Sequence, residues 1–324
     1  MSEMNSAYDW YRLTQVRGLG PKRLNMIHRH MEDCGLPISE IFDLDWIRFH
    51  DLFPKIDKAI FDALEDVEEA PTVSDYRRLQ DKNISVIHLG DERYPRLLPQ
   101  RMGDSAPPLL YCHGYLSLLQ SSGVSIVGAR NASSQSLALT ASLAAQLADN
   151  GMNVISGYAK GVDTAAHVGA LVSGGTTTVV LSSGIFDFRA KREFEGTEWK
   201  KNTLAISQFQ PDEKWSARNA MTRNKLICAL SEAMIIMEAG DERDEQGRMS
   251  GTFDAGKTAL EMGVPLFVID PRILDSAPRG NTKLIDLGAE AIDSESAILA
   301  IQYRLDPPVA LASQRNEQVP LFPF

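Results

Sequence analysis

Apolar positions along the chain follow two periods. Over the first eighty residues they recur at helical spacing, in 8–16 and again in 22–31, where Leu24, Ile27 and Met31 form one stripe. Between these stretches, Arg17-Gly18-Leu19-Gly20-Pro21 predicts a tight turn, with Pro21 suited to the first position of the next helix. The pair reads as a helix–hairpin–helix-like element whose exposed helix N-terminus can accept a phosphate, or more plainly as a helix–turn–helix scaffold. Near residue 84 the period shortens. Residues 84–89 and 107–111 read as extended, and from Val124 onward short apolar runs alternate with helical stripes. Strands are expected over 124–128, 153–156, 177–182, 204–207, 233–238 and 264–269. Helices are expected from Ser133 or Ser134 to Gly151 and near 162–173, 219–230 and 252–262. This alternation predicts an α/β fold: a doubly wound, mostly parallel sheet carrying a small all-helical N-terminal domain. The expected divisions are 1–80 helical, 81–304 α/β, and 305–324 a flexible polar tail opening on Asp306-Pro307-Pro308.

Composition narrows the class. Of 324 residues, 44% are hydrophobic and 23% charged, which excludes a disordered or fibrous chain. The net charge of −10 argues against a basic coat of the histone type, but local charge decides phosphate binding. Residues 124–225 hold 11 Lys and Arg against 8 Asp and Glu, so the acidic excess lies elsewhere. Cys34, Cys112 and Cys228 are isolated and odd in number, which gives neither a disulfide framework nor a metal site. The first residues lack a signal-peptide pattern, and no apolar run approaches the ~20 residues that span a bilayer. The expectation is a soluble cytoplasmic protein with no membrane partner and no cofactor.

In an open α/β sheet, ligands bind beyond the carboxyl ends of the strands, and four segments point there. Gly128 and Arg130 follow the strand at 124–128; the glycine lets a ligand approach the backbone, and the guanidinium is a phosphate fork. Ser156-Gly157-Tyr158-Ala159-Lys160-Gly161 joins a strand to a helix, exposing N–H groups at a positive helix end, with Lys160 adding a full charge. Its spacing is neither a dinucleotide fingerprint nor an ATP-binding loop. Asp163 suits a cap or a loop anchor, and His167, four residues on, reads as structural. Arg223, Asn224 and Lys225 are expected at the start of an apolar-faced helix. Ser250, Gly251 and Thr252 precede another, with Thr252 as a cap candidate.

Taken in order, these segments resemble the DprA/Smf DNA-processing family. VGAR at 127–130, SGYAKGVD with AAH at 156–167, RNKLICALS at 223–231, and SGT with AGKTALEMGVPLFVI at 250–269 carry the likeness. GDERYP at 90–95, PPLLYCHG at 107–114 and GNTKLIDLGA at 280–289 extend it. The resemblance implies an extended Rossmann-like domain and a homodimer. It further implies binding of single-stranded DNA and delivery of that strand to the RecA recombinase, with no enzymatic activity and no catalytic residue. By position, Arg130, Ser156, Gly157, Lys160, Arg223, Asn224 and Lys225 would line the DNA pocket. Lys160 and Lys225 stand where arginine is common, which keeps the charge and loses the planar fork. Few residues follow 300, too few for the winged helix that many relatives carry.

Two other readings compete. One is a nucleoside monophosphate N-glycosidase, whose loop PGGxGTxxE has here the counterpart Arg248-Met-Ser-Gly-Thr252-Phe-Asp-Ala255, without the double glycine or the glutamate. Asp163, Glu238 and Glu261 are then the available acids. The other is a nucleotide sensor in a defence pathway. The region of Leu260, Met262, Val264 and Leu266 is a candidate dimer contact or plain core. In the tail, Gln318, Leu321 and Phe322 form a Gln-x-x-Leu-Phe pattern resembling the peptide that docks bacterial DNA-processing proteins on the replication sliding clamp.

Overall fold

The helical stripes at the N-terminus become α1 (Ser2–Gln15), α2 (Pro21–Asp33), α3 (Trp46–Leu52), α4 (Lys58–Glu65) and α5 (Glu69–Asp81) in the computed structural model. It describes residues 2–67, 69–243 and 245–306; Gln318, Leu321 and Phe322 of the tail lie outside them. Gly20 caps α2 with extended backbone, and Pro21 is its first residue, where a missing N–H costs nothing. Arg23 locks the turn by donating from Nη1 to the Gly18 carbonyl at 2.7 Å. Leu13, Leu24, Ile27, Met31 and Phe49 are buried together with Phe53 and Phe61. The Phe49 ring lies 5.2 Å from that of Phe53 and 5.1 Å from that of Phe61, ordinary aromatic packing.

The strands are β1 (Ser85–His88), β2 (Leu109–Gly114), β3 (Gly123–Val127), β4 (Asn153–Ser156), β5 (Thr177–Val180), β6 (Thr203–Ser207), β7 (Ala233–Ile236), β8 (Leu266–Ile269) and β9 (Glu290–Ile292). Among them run α6 (Leu97–Met102), α7 (Ser134–Asp149), α8 (Val162–Val172), α9 (Trp199–Asn202), α10 (Ala217–Leu230), α11 (Gly251–Glu261), α12 (Arg279–Asp286) and α13 (Ala297–Leu305). Two compact units divide the chain: residues up to Ser121 with Thr177–Leu230, and Ser122–Thr176 with residues from Ser231 onward.

In the first unit, β2 pairs antiparallel with both β1 and β6, while β5 and β6 run parallel. In the second, β3 lies between β4 and β7, and β8 and β9 follow, every pairing parallel. Val124 faces Val154 on one side and Ala233 on the other. Because side chains alternate along a strand, Val124, Ile126, Ala233 and Ile235 share one face. There they pack with Leu143 and Leu147 of α7, Val162 and Ala166 of α8, and Ile301 of α13. α11 packs on β7, β8 and α12. The doubly wound, mostly parallel α/β fold with a helical N-terminus expected from the pattern is the one observed.

Three details differ from the sequence reading. α10 begins at Ala217, so Arg223–Lys225 sit in its second turn and not at its start. Asn219 there donates its N–H to Ser216 Oγ, which makes Ser216 the hydroxyl at the helix start. Ser250, not Thr252, caps α11 by accepting from Phe253 N. Of the candidate dimer residues, Val264 and Leu266 are core, while Leu260 and Met262 stay half-exposed.

Candidate functional site

The carboxyl ends of β3 and β4, in the second unit, carry two loops that fit against each other through glycine. A Cβ on Gly128 would lie 2.6 Å from Val162 Cγ2. Gly161 has φ +76°, and a Cβ there would stand 2.5 Å from the carbonyl oxygens of both Ala129 and Arg130. No side chain fits either place. Val162 N also donates to the Ala129 carbonyl at 3.3 Å, and Ser156 Oγ donates to the Ile126 carbonyl at 2.6 Å. These contacts join the two loops directly.

Polar groups of α8, two of them buried, hold the second loop from beneath. Asp163, 5% exposed, accepts from Ala159 N at 3.2 Å, and Thr164 Oγ1 donates to the Ala159 carbonyl at 2.7 Å. His167 is fully buried, its Nε2 2.6 Å from the Gly157 carbonyl. A carbonyl only accepts, so Nε2 carries the proton. The structural reading of His167 thus acquires a partner, and Asp163 anchors the loop. Above these braces, Arg130 and Lys160 are both exposed. The arrangement presents two cations to solvent on a braced base, which suits an anionic ligand.

The neighbouring strand ends are occupied structurally. Glu238, just past β7, accepts from Ser133 N at 3.4 Å and Ser136 Oγ at 2.8 Å, completing the cap of α7. Glu261 is exposed at the end of α11. Ser250 spends its hydroxyl as a cap, with Gly251 and Thr252 half-buried behind it. Asn281 is fully buried: its Oδ1 accepts from Ala239 N, and its Nδ2 donates to the Met237 and Ile269 carbonyls. This clamp across the exits of β7 and β8 escapes a sequence reading, since nothing local distinguishes Asn281 from a loop asparagine. Among the described residues, no group of three His, Cys, Asp or Glu gathers as a metal site, and no helix is long and apolar enough to cross a membrane.

In the first unit, Arg223 is 6% exposed and donates from Nη1 to the Val180 carbonyl, at the end of β5, at 3.0 Å. Asn224 is half-buried and Lys225 exposed. Of this basic segment, Lys225 is the member that faces water.

A mostly parallel, doubly wound sheet with a glycine-tight loop pair at its carboxyl edge defines a Rossmann-like fold. Residues 85–302 match the family model described as DNA recombination-mediator protein A, and the chain belongs to that family. It is 34% identical over 196 residues to DNA processing protein DprA of Streptococcus pneumoniae, covering 60% of this chain and 67% of the relative. It is 28% identical over 316 residues to protein Smf of Synechocystis, covering 93% and 73%. The X-ray structure of S. pneumoniae DprA superposes with TM-score 0.75 at 26% identity, over 91% of this chain and 97% of that one. A Helicobacter pylori DprA structure, described for its single-stranded DNA binding mode, gives TM-score 0.55 at 26% identity, covering 68% and 96%.

Proposed function

We propose that the chain binds single-stranded DNA through its phosphates and acts as a recombination mediator, passing the strand to a recombinase of the RecA type as a homodimer. The observation that carries this is the exposure of Arg130 and Lys160 on loops braced by buried Asp163 and His167 and half-buried Thr164. A braced loop loses little entropy when phosphate docks, so modest charge suffices. Ser156, Gly157 and Gly161 shape the backbone, and Lys225 of the first unit offers a further cation. Asp163 and Glu238, which N-glycosidase chemistry would need, are committed to holding loops. The DprA of H. pylori, described as a single-stranded DNA binder, supports the same reading. Docking of the tail pattern at Gln318, Leu321 and Phe322 on a sliding clamp is a separate part of the proposal.

Titration of oligothymidylate across a salt series tests it. Each phosphate contact adds about −0.7 to the slope of log affinity against log salt. Arg130→Ala with Lys160→Ala should weaken binding to all sequences and flatten the slope by about 1.4. An unchanged slope and affinity would overturn the proposal.

A further inference from the structure

The first unit holds a cavity of about 360 Å³, walled by Asn83, His113, Phe188, Trp199, Lys200 and Thr203. That size is at the small end of ligand pockets. Its walls are unusually aromatic for a cleft between loops. His113 is fixed by Nδ1, which lies 3.3 Å from the Asn83 carbonyl and donates to it. The Phe188 ring is 6.3 Å from that of His113, tilted by 56°. Trp199, half-buried, opens α9 and contributes a third ring.

Two polar features are left over. Lys200 is exposed, with its Nζ 5.9 Å from the Trp199 ring centroid, and has no carboxylate in ion-pair range among the described residues. Its neighbour Lys201 is instead paired with Glu198 at 2.7 Å. Thr203 is 4% exposed, and its Oγ1 is buried without a hydrogen-bond partner among the described residues. A buried hydroxyl left unpaired is costly, so a ligand that bonds to it gains that penalty back.

We propose that this cavity is a nucleobase subsite. A base lies against the Trp199 face, Lys200 meets the adjoining phosphate, and Thr203 Oγ1 bonds to a polar edge of the base. Aromatic walls with one uncommitted cation fit a planar ring that carries a negative charge. An acidic peptide would leave the rings unused, and an acyl chain would leave the hydroxyl unpaired. The inference rests on the single-stranded DNA reading, although a free 5′-mononucleotide has the same chemistry.

The test uses the full chain with oligothymidylate and with dTMP, in parallel. Trp199→Leu should weaken oligothymidylate binding about tenfold with an unchanged salt slope, because stacking is sequence-tolerant and not ionic. Trp199→Phe should restore most of that loss. Lys200→Ala, at an exposed position, should lower the slope by about 0.7. An oligonucleotide carrying 5-iododeoxyuridine should cross-link to the peptides containing Phe188 or Trp199. Thermal melting of each variant separates lost contacts from lost folding. If Trp199→Leu impairs dTMP binding alone, the subsite stands and its source is the free nucleotide. If folded Trp199→Leu and Lys200→Ala bind both probes as the parent does, and no cross-link forms, the subsite is wrong. The DNA reading would survive that result so long as Arg130→Ala with Lys160→Ala still flattens the slope.

Discussion

The two units put their polar side chains to opposite uses. In the second, groups at the start of a helix work outward: buried Asp163 and His167, with half-buried Thr164, hold a loop so that Lys160 stands in water. In the first, comparable groups work inward. Arg223 spends its guanidinium on the Val180 carbonyl, and His88 is buried under the Trp10 ring, stacked at 5.6 Å. A cation in a basic segment is therefore not yet a phosphate contact. What decides is whether the fold has already supplied it with an acceptor.

The largest effect should come from disturbing the joint between the two loops. Gly161→Val forces a branched side chain into φ +76° and drives its Cβ onto two carbonyl oxygens. Backbone strain and overpacking each cost about 1–3 kcal/mol, so a loss of about 3–5 kcal/mol is expected in urea unfolding. Because the contact lies under the site, oligonucleotide affinity should fall too. Parent-like stability and binding would show that the loops are not coupled as described.

Acid should break the first unit's interior. Burial holds the His88 imidazole down at about 4, and Asp91 only partly opposes it. Gly90 N donates to His88 Nδ1 at 3.1 Å, a bond that protonation of Nδ1 would destroy. The unfolded chain binds this proton below about 6.5, the folded one only near 4. Stability contributed by neutral His88 is therefore complete above about 6.5 and is lost as the pH falls toward 4, by about 3 kcal/mol. His28, also lowered by burial against the pull of Glu32, adds to the same slope. His88→Gln should flatten the profile between pH 6.5 and 4. His167→Gln should also lower stability, because it removes the ring held at 2.6 Å from the Gly157 carbonyl.

Next in size is Arg223. Replacing it with alanine removes a charged donor from a buried carbonyl, a loss of about 2 kcal/mol. The salt slope of DNA binding should stay where it was. A flattened slope with unchanged stability would move Arg223 to the phosphate contacts and dissolve the contrast between the units.

How much of this is legible in sequence follows from the same physics. β7 is legible because a parallel strand buried on both faces reads as an unbroken apolar run, as Ala233–Ile236 does. β9 is not: it spans three residues, of which Glu290 and Ala291 are exposed. His167 reads as structural because no other His, Cys or carboxylate constellation accompanies it, but its acceptor, the Gly157 carbonyl, is set by how the loop turns back. Arg223 meets a carbonyl 43 residues away in the chain. Asn281 is held likewise by backbone of residues 237, 239 and 269, which only the folded sheet brings together. Local pattern locates the loops; tertiary acceptors decide which polar groups remain available on them.

The smallest effect on stability belongs to the residues with the largest effect on salt dependence. Arg130 and Lys160 are both exposed. Their joint replacement by alanine should leave unfolding within about 0.5 kcal/mol of the parent, as surface changes do. The same variant should lose about 1.4 from the salt slope of oligothymidylate binding, whatever the base sequence. Measured beside Arg223→Ala, this gives a crossed result: one variant unstable with its slope intact, the other stable with its slope reduced. If the Arg130 and Lys160 variant is instead destabilised by 2 kcal/mol or so, its cations belong to the fold as Arg223 does. The phosphate contacts would then have to be sought on Lys225 and the other exposed cations.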